Sequence, residues 1–235
     1  MDFIIHLQNQ NLTSLIILDF FNKIKIFCKK ILDNFIICAI MITKTAFIVK
    51  IAERTRRGYF MDYAEKTVKK NYIYQGKILT LRKDDALLPN GEPCIREIIE
   101  HSGGACALYI ENDEVLFVKQ YRYAYGESVI ELPAGKLNEG ENPAIAVLRE
   151  LEEETGIKAK KAELLFVVYP TPGYTNEKIY IYRALEGERG KAHTDEGEFV
   201  DAVWIKTDKV KQMLKSGEIK DAKTIIALQR YFLEN

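Results

Sequence analysis

Residues 135–157 read GKLNEGENPAIAVLRELEEETGI. Asn142 can cap a helix, Pro143 suits its first position, and Gly156 suits a left-handed residue just past its end. Between them Ala144, Val147, Leu148 and Leu151 recur at i, i+3, i+4 and i+7, which makes a core-facing stripe. Glu150, Glu153 and Glu154 fall on another face at i, i+3 and i+4, so their carboxylates converge, with the small Ala146 one turn earlier. Glu152 points away to solvent. Like charges at this spacing weaken an isolated helix by roughly a few tenths of a kcal/mol. A solvated acidic face is the competing reading of any such run. Hard divalent cations, however, need oxygen ligands, and a diphosphate brings further charge to be neutralised. The converging acids therefore point to metal-dependent chemistry on a phosphorylated molecule.

The full spacing weighs against the bland alternative. Gly135 is followed after five residues by Glu141, then after seven by Arg149-Glu150-Leu151. One residue later come Glu153-Glu154, and after one more Gly156-Ile157. This resembles the Nudix box with each fixed position filled. The resemblance implies a Nudix hydrolase, a pyrophosphatase acting on a nucleoside diphosphate linked to another moiety, with Mg²⁺ or Mn²⁺ as cofactor. It runs from Thr67 to the C-terminus. Glu131-Leu132-Pro133-Ala134 precedes the box, and Tyr169-Pro170-Thr171-Pro172-Gly173-Tyr174-Thr175-Asn176-Glu177 follows it. Pro172 stands sixteen residues after Gly156, which is similar to the ADP-ribose pyrophosphatase subgroup. An ordinary Pro-Gly turn between two strands is the other reading of that proline.

The resemblance also implies roles. Glu150 and Glu154 are the first choices as metal ligands, with Glu153 beside them as ligand or catalytic group, and the Ala134 carbonyl joins them. Arg149 orients the glutamates through salt bridges. Glu141 is open between a loop-holding hydrogen bond and a water-mediated metal contact. The acidic segment His193-Thr194-Asp195-Glu196-Gly197-Glu198 resembles the catalytic loop of ADP-ribose pyrophosphatases. By that match Glu196 is the candidate general base and Glu198 a further metal ligand; a solvated surface loop is the alternative. Guanidinium groups bind phosphate oxygens in pairs, and Arg96 and Arg122 sit where related enzymes place substrate-binding arginines. Tyr74 matches an adenine-stacking position. Surface arginines and a packing tyrosine are the plain alternatives. His6, His101 and His193 are scattered, and none is placed in the site.

Composition agrees with a globular enzyme. The 235 residues carry 34 Lys and Arg against 34 Asp and Glu, so no general polyanion-binding surface is implied. Residues 1–60 hold nine basic and four acidic residues, and the remainder twenty-five and thirty. The mildly acidic larger part argues against a nucleic-acid polymer as substrate. Cys28, Cys38, Cys94 and Cys106 show no metal-binding spacing, which fits free thiols in a reducing cytosol and hence a cytoplasmic enzyme. The first sixty residues are rich in Ile, Phe, Lys and Asn, but no uncharged run reaches the ~18 residues that span a bilayer. Three readings stay open for residues 1–60. They could be an interfacial amphipathic anchor touching a membrane, a helical appendage, or sequence upstream of a true start at Met61, where composition shifts.

From Met61 onward the pattern predicts strands at 71–75, 77–84, 94–100, 105–111, 115–121, 129–132, 163–168, 179–185 and 200–205. Asn112-Asp113 marks a hairpin, and closing helices fall at 207–215 and 221–233. This order suits an α/β fold, an α/β/α sandwich around a mixed sheet. The resemblance adds a small antiparallel N-terminal subdomain at 61–104, ahead of a Nudix domain at 105–235, and implies a homodimer through it. The expected reaction is hydrolysis of ADP-ribose to AMP and ribose 5-phosphate. Another nucleotide-sugar or oxidised-nucleotide Nudix pyrophosphatase is the nearest rival. A non-catalytic nucleotide sensor would be a different class, and it normally requires damage to the glutamate set.

Overall fold

The strand Gly104–Leu108 (β5) is apolar on both sides, and its pleat sends Ala105 and Ala107 one way and Cys106 and Leu108 the other. All four are buried. A strand buried on both faces must lie in the middle of three layers. In the computed structural model, which describes residues 19–23, 62–194 and 197–234, it does. One layer is the helix Pro143–Thr155 (α1), whose Val147 and Leu151 pack with Ala105 and Ala107. The opposite layer includes the helices Thr207–Ser216 (α2) and Ala222–Glu234 (α3), whose Val210, Met213, Ala227 and Leu228 pack with Cys106 and Leu108. Each fully buried Leu or Val contributes about 1.5–3 kcal/mol. Burial pushes the Cys106 thiol up to about 12, so it is an inert core group.

Among the described residues the strands form three four-stranded sheets. The first is antiparallel and holds Lys66–Lys69 (β1), Tyr72–Gln75 (β2), Leu79–Leu87 (β3) and Pro93–His101 (β4). The second runs Ile157–Val168 (β10), Ile179–Arg189 (β11), β5 and Ala134–Lys136 (β9). It is mixed, because β11 and β5 are parallel while the other pairs are antiparallel. The third contains Val200–Lys206 (β12), Glu114–Arg122 (β7), Ile110–Glu111 (β6) and Glu127–Glu131 (β8), all antiparallel. This is the α/β sandwich with a mixed sheet and a small antiparallel N-terminal sheet that the sequence suggests.

The strand expected at 105–111 is two strands. It breaks at Tyr109, where the chain leaves β5 for β6 and changes sheet. Tyr109 is buried edge-on against Trp204, at 6.0 Å between ring centres. The hairpin at Asn112-Asp113 joins β6 to β7, and both residues have positive φ, 49° and 62°. β1 and β9 have no counterpart in the sequence reading, since three or four residues give too little alternation.

Residues 64–235 cluster as one unit. Residues 19–23 are an exposed helical turn, and most of the 1–60 segment, with Met61, lies outside the described residues. Among the described residues no helix is long and apolar enough to cross a membrane.

Candidate active site

α1 begins and ends as its residue types require. Asn142 Oδ1 accepts the Ala144 N–H at 2.9 Å, Pro143 follows, and Gly156 closes the helix at φ 74° with its N–H on the Glu152 carbonyl. A side chain at Gly156 would also meet the backbone at Gly190 and Ala192, at 2.8 Å. The helix therefore stops at a fixed point, which sets the direction of its acidic face.

One guanidinium organises that face. Arg149 Nε and Nη2 donate to the Glu141 carboxylate at 3.0 and 3.1 Å, and Nη1 donates to Glu150 at 2.8 Å and Glu153 at 2.9 Å. Glu141 also accepts the Asn138 N–H at 2.9 Å, so it closes the loop ahead of the helix. The bonds from Arg149 hold the Glu141 carboxyl below its usual range.

The other acids fold back onto β9. A Cβ at Gly135 would lie 1.9 Å from Glu150 Cδ, so the Glu150 carboxylate fills the space that only glycine leaves. Glu154 Oε2 accepts the Ala134 N–H at 2.9 Å. Glu154 is only 6% exposed. Burial pushes its carboxyl up to about 8, and the charges of Glu150 and Glu198 add to the shift. Glu150 is raised as well, by burial first, with Glu153 and Glu198 adding against the pull of Arg149. Burial and neighbouring acids thus both act against the charged form of these carboxyls.

The donor set is oxygen throughout, which suits Mg²⁺ or Mn²⁺. As the side chains stand, Arg149 and the Ala134 N–H occupy carboxylate oxygens. Among the described residues no three acidic, histidine or cysteine side chains converge closely enough to close around an ion. A divalent cation bound there would favour the charged form of Glu150 and Glu154, which burial first and neighbouring acids second disfavour.

A second wall faces the box. Arg122 grips Glu131 with a fork, Nε to Oε1 at 2.6 Å and Nη2 to Oε2 at 2.8 Å. Lys223 Nζ reaches the same Oε2 at 2.5 Å and Asp221 at 2.9 Å. Burial would raise the Glu131 carboxyl, but Arg122 and Lys223 hold it below the usual range. Next to them lies a cavity of about 200 Å³ bounded by Arg122, Ala134, Gly135, Lys136, His101 and Glu177. A neighbouring one of about 580 Å³ shares Arg122, Glu177 and Lys223 and adds Tyr125, Tyr169 and Ile226.

The structure brings Arg122, Ala134, Glu150, Glu154 and, through its field, Glu198 to one place, with Arg149 and Glu153 on the same helix. Arg96 lies on β4 and pairs with Glu65, and Tyr74 is exposed on β2 with its ring beside Gly76. No described contact joins either of them to the glutamates. Glu196 lies outside the described residues.

His101, which the sequence reading leaves outside the site, borders the cavity beside Gly135. Its Nδ1 accepts the Gly103 N–H at 3.0 Å and lies 3.5 Å from Glu177. Glu177 and Lys223 line the same cavity, and the sequence reading gives neither a role. The segment after Pro172 explains Glu177: Ile99 N–H bonds the Tyr174 carbonyl at 2.7 Å and His101 N–H bonds Asn176 Oδ1 at 2.8 Å. The Pro172-Gly173 turn therefore lays this segment along β4. Nothing local marks Lys223, which meets Glu131 from 92 residues away.

Comparison with known proteins agrees with this arrangement. Residues 100–228 match the NUDIX domain, and residues 65–99 match the nucleoside diphosphate sugar hydrolase N-terminal domain. The chain is 40% identical over 170 residues to the methanol dehydrogenase activator of Bacillus methanolicus, covering 71% of this chain and 92% of that protein. It is 38% identical over 168 residues to the ADP-ribose pyrophosphatase of Bacillus subtilis (strain 168), covering 70% and 91%. An ADP-ribose pyrophosphatase of Mycobacterium tuberculosis is 32% identical over 159 residues, 66% and 76% of the two chains. With more than half its length in the NUDIX match and the box acids folded onto β9, the chain belongs to the Nudix hydrolase family and carries a nucleoside diphosphate sugar hydrolase N-terminal domain ahead of it.

Proposed function

We propose that this chain hydrolyses the diphosphate of a nucleoside diphosphate sugar, with ADP-ribose as substrate and AMP and ribose 5-phosphate as products. The observation that carries this reading is the seating of Glu150 on Gly135 and of Glu154 on the Ala134 N–H, which brings both carboxylates onto the strand whose Ala134 and Gly135 line the cavity. ADP-ribose is chosen among diphosphate sugars because two of the relatives named above are ADP-ribose pyrophosphatases and Pro172 holds the subgroup spacing.

Glu150, Glu153, Glu154, Glu198 and the Ala134 carbonyl would hold Mg²⁺ or Mn²⁺. When bound, the cation neutralises diphosphate oxygens and lowers the pKa of a water. Arg149 keeps Glu150 and Glu153 in register and takes no proton. Glu196 receives the proton of the attacking water as general base. Arg122 binds a phosphate oxygen pair from the cavity wall. Arg96 would bind the diphosphate, and Tyr74, which has no described contact with the glutamates of its own chain, would stack on the adenine of a second copy's substrate. A homodimer through the N-terminal sheet fits the exposed Val68, Tyr72, Ile73, Ile78 and Ile95 there.

The test is a rate comparison on ADP-ribose, GDP-mannose and 8-oxo-dGTP with Mg²⁺. ADP-ribose should be cleaved fastest. A clear preference for either other compound would reassign the substrate.

A further inference from the structure

Glu131 is 3% exposed, yet two cations, Arg122 and Lys223, meet on its carboxylate. Its two cations are held very differently. The Lys223 side chain is 10% exposed and is pinned by Asp221, whose other oxygen caps α3 by accepting the Thr224 N–H at 2.9 Å. Thr224 Oγ1 in turn accepts the buried Leu132 N–H at 2.9 Å, so α3 is tied to the residue next to Glu131. Lys223 and Arg122 both border the two cavities, but the Arg122 side chain is 39% exposed. Of the two cations Arg122 is the more exposed and its described side-chain bonds go to Glu131, whereas Lys223 is also bonded to Asp221, so Arg122 is the one placed to turn toward a ligand. A buried carboxylate left without a partner is strongly unfavourable. An arginine that served alone as the partner of Glu131 would therefore be locked to it.

We propose that Lys223 is a positioning residue, the resident counter-ion of Glu131 that frees Arg122 to bind the substrate's diphosphate. This rests on the pyrophosphatase reading above. Glu131 Oε2 accepts from both Arg122 and Lys223, and Oε1 accepts from Arg122. When a diphosphate arrives, the guanidinium exchanges one carboxylate for phosphate oxygens of matching geometry. Lys223 stays on Glu131 throughout, because Asp221 and the first turn of α3 hold it there. The segment from Glu131 to Ala134, which carries the backbone beside Glu154, therefore does not move when Arg122 leaves.

Steady-state hydrolysis of ADP-ribose at saturating Mg²⁺ tests this. Wild-type protein is assayed first, and inertness there defeats the hydrolase reading itself. Given activity, Lys223→Met should raise KM about tenfold or more while kcat falls less than about threefold, since Arg122 is then held by a lone buried carboxylate. Lys223→Arg keeps the charge and should stay within about threefold of the wild-type KM. The double variant Glu131→Gln/Lys223→Met removes both charges and frees Arg122, so its KM should return to within about threefold of wild type. A purely structural lysine would lower thermal stability in the single and double variants without this rescue. Should Lys223→Met fail to fold, the double variant decides by the same KM. An unchanged KM in Lys223→Met, or a double variant whose KM stays raised about tenfold, overturns the proposal.

Discussion

The carboxylate of Glu150 lies where a side chain on Gly135 would have to be. The two positions are fifteen apart in sequence, and the spacing of the box is the distance at which the helix returns to the strand that precedes it. Gly135 is required for this close approach, not for an unusual φ. Gly135→Ala should push Glu150 off β9 while disturbing little else, because a flexible side chain yields before backbone does. The expected result is a loss of turnover of about a hundredfold with a melting temperature within a few degrees of wild type. Steady-state rates and thermal melts check both halves.

Glu154 makes the metal-free enzyme pH-sensitive. Its carboxyl titrates at about 8 in the folded protein against a usual value of 4.5. Between those values the folded state keeps a proton that the unfolded chain has lost. Stability is therefore largest below about 4.5 for this group, declines as pH rises through the window, and is fully reduced above about 8, by as much as a few kcal/mol. Denaturant titrations in chelator at pH 6 and pH 9 should show the decline, Glu154→Gln should flatten it, and Mg²⁺ should reverse it.

Glu154→Gln should also lower turnover by about a hundredfold or more while leaving the fold intact, because one of the proposed metal ligands loses its charge. Circular dichroism and melting curves alongside kinetics separate the two effects.

For Glu196 the expected signature is a pH profile. Glu196→Gln should be slow near neutrality and recover at high pH, where hydroxide replaces an assisted water. Wild-type kinetics across the range would remove Glu196 from the role of base.

Thr224 tests the tie between α3 and the box strand. Thr224→Val keeps the shape and deletes the acceptor of the Leu132 N–H, both groups being fully buried. The loss should be about 1–3 kcal/mol in a denaturant titration, because a buried donor is left unpaired.

The helix that carries the acids could be read from Asn142, Pro143 and Gly156, since caps are local chemistry. Which of its faces is inside could not be read in full. Val147 and Leu151 are buried as their spacing implies, but Ala146 and the charged Glu154 are buried too. Periodicity treats a carboxylate as solvated, whereas Glu154 sits on a backbone N–H beneath β9. The break of the 105–111 run at Tyr109 was hidden for a related reason. A strand apolar on both faces has no alternation to show where one sheet ends and the next begins. Arg122 could be placed by resemblance to related enzymes. Its partners Glu131 and Lys223 could not, because they depend on tertiary docking of α3 across 92 residues.

The most direct test is product release from ADP-ribose by the purified chain, with and without Mg²⁺, followed by chromatography of the nucleotides. AMP and ribose 5-phosphate should appear in equal amounts with metal, stop on chelation, and be nearly absent with Glu154→Gln. Cleavage that ignores chelator, or intact ADP-ribose, GDP-mannose and 8-oxo-dGTP after prolonged incubation with Mg²⁺, would contradict a site built to hold a divalent cation against a diphosphate.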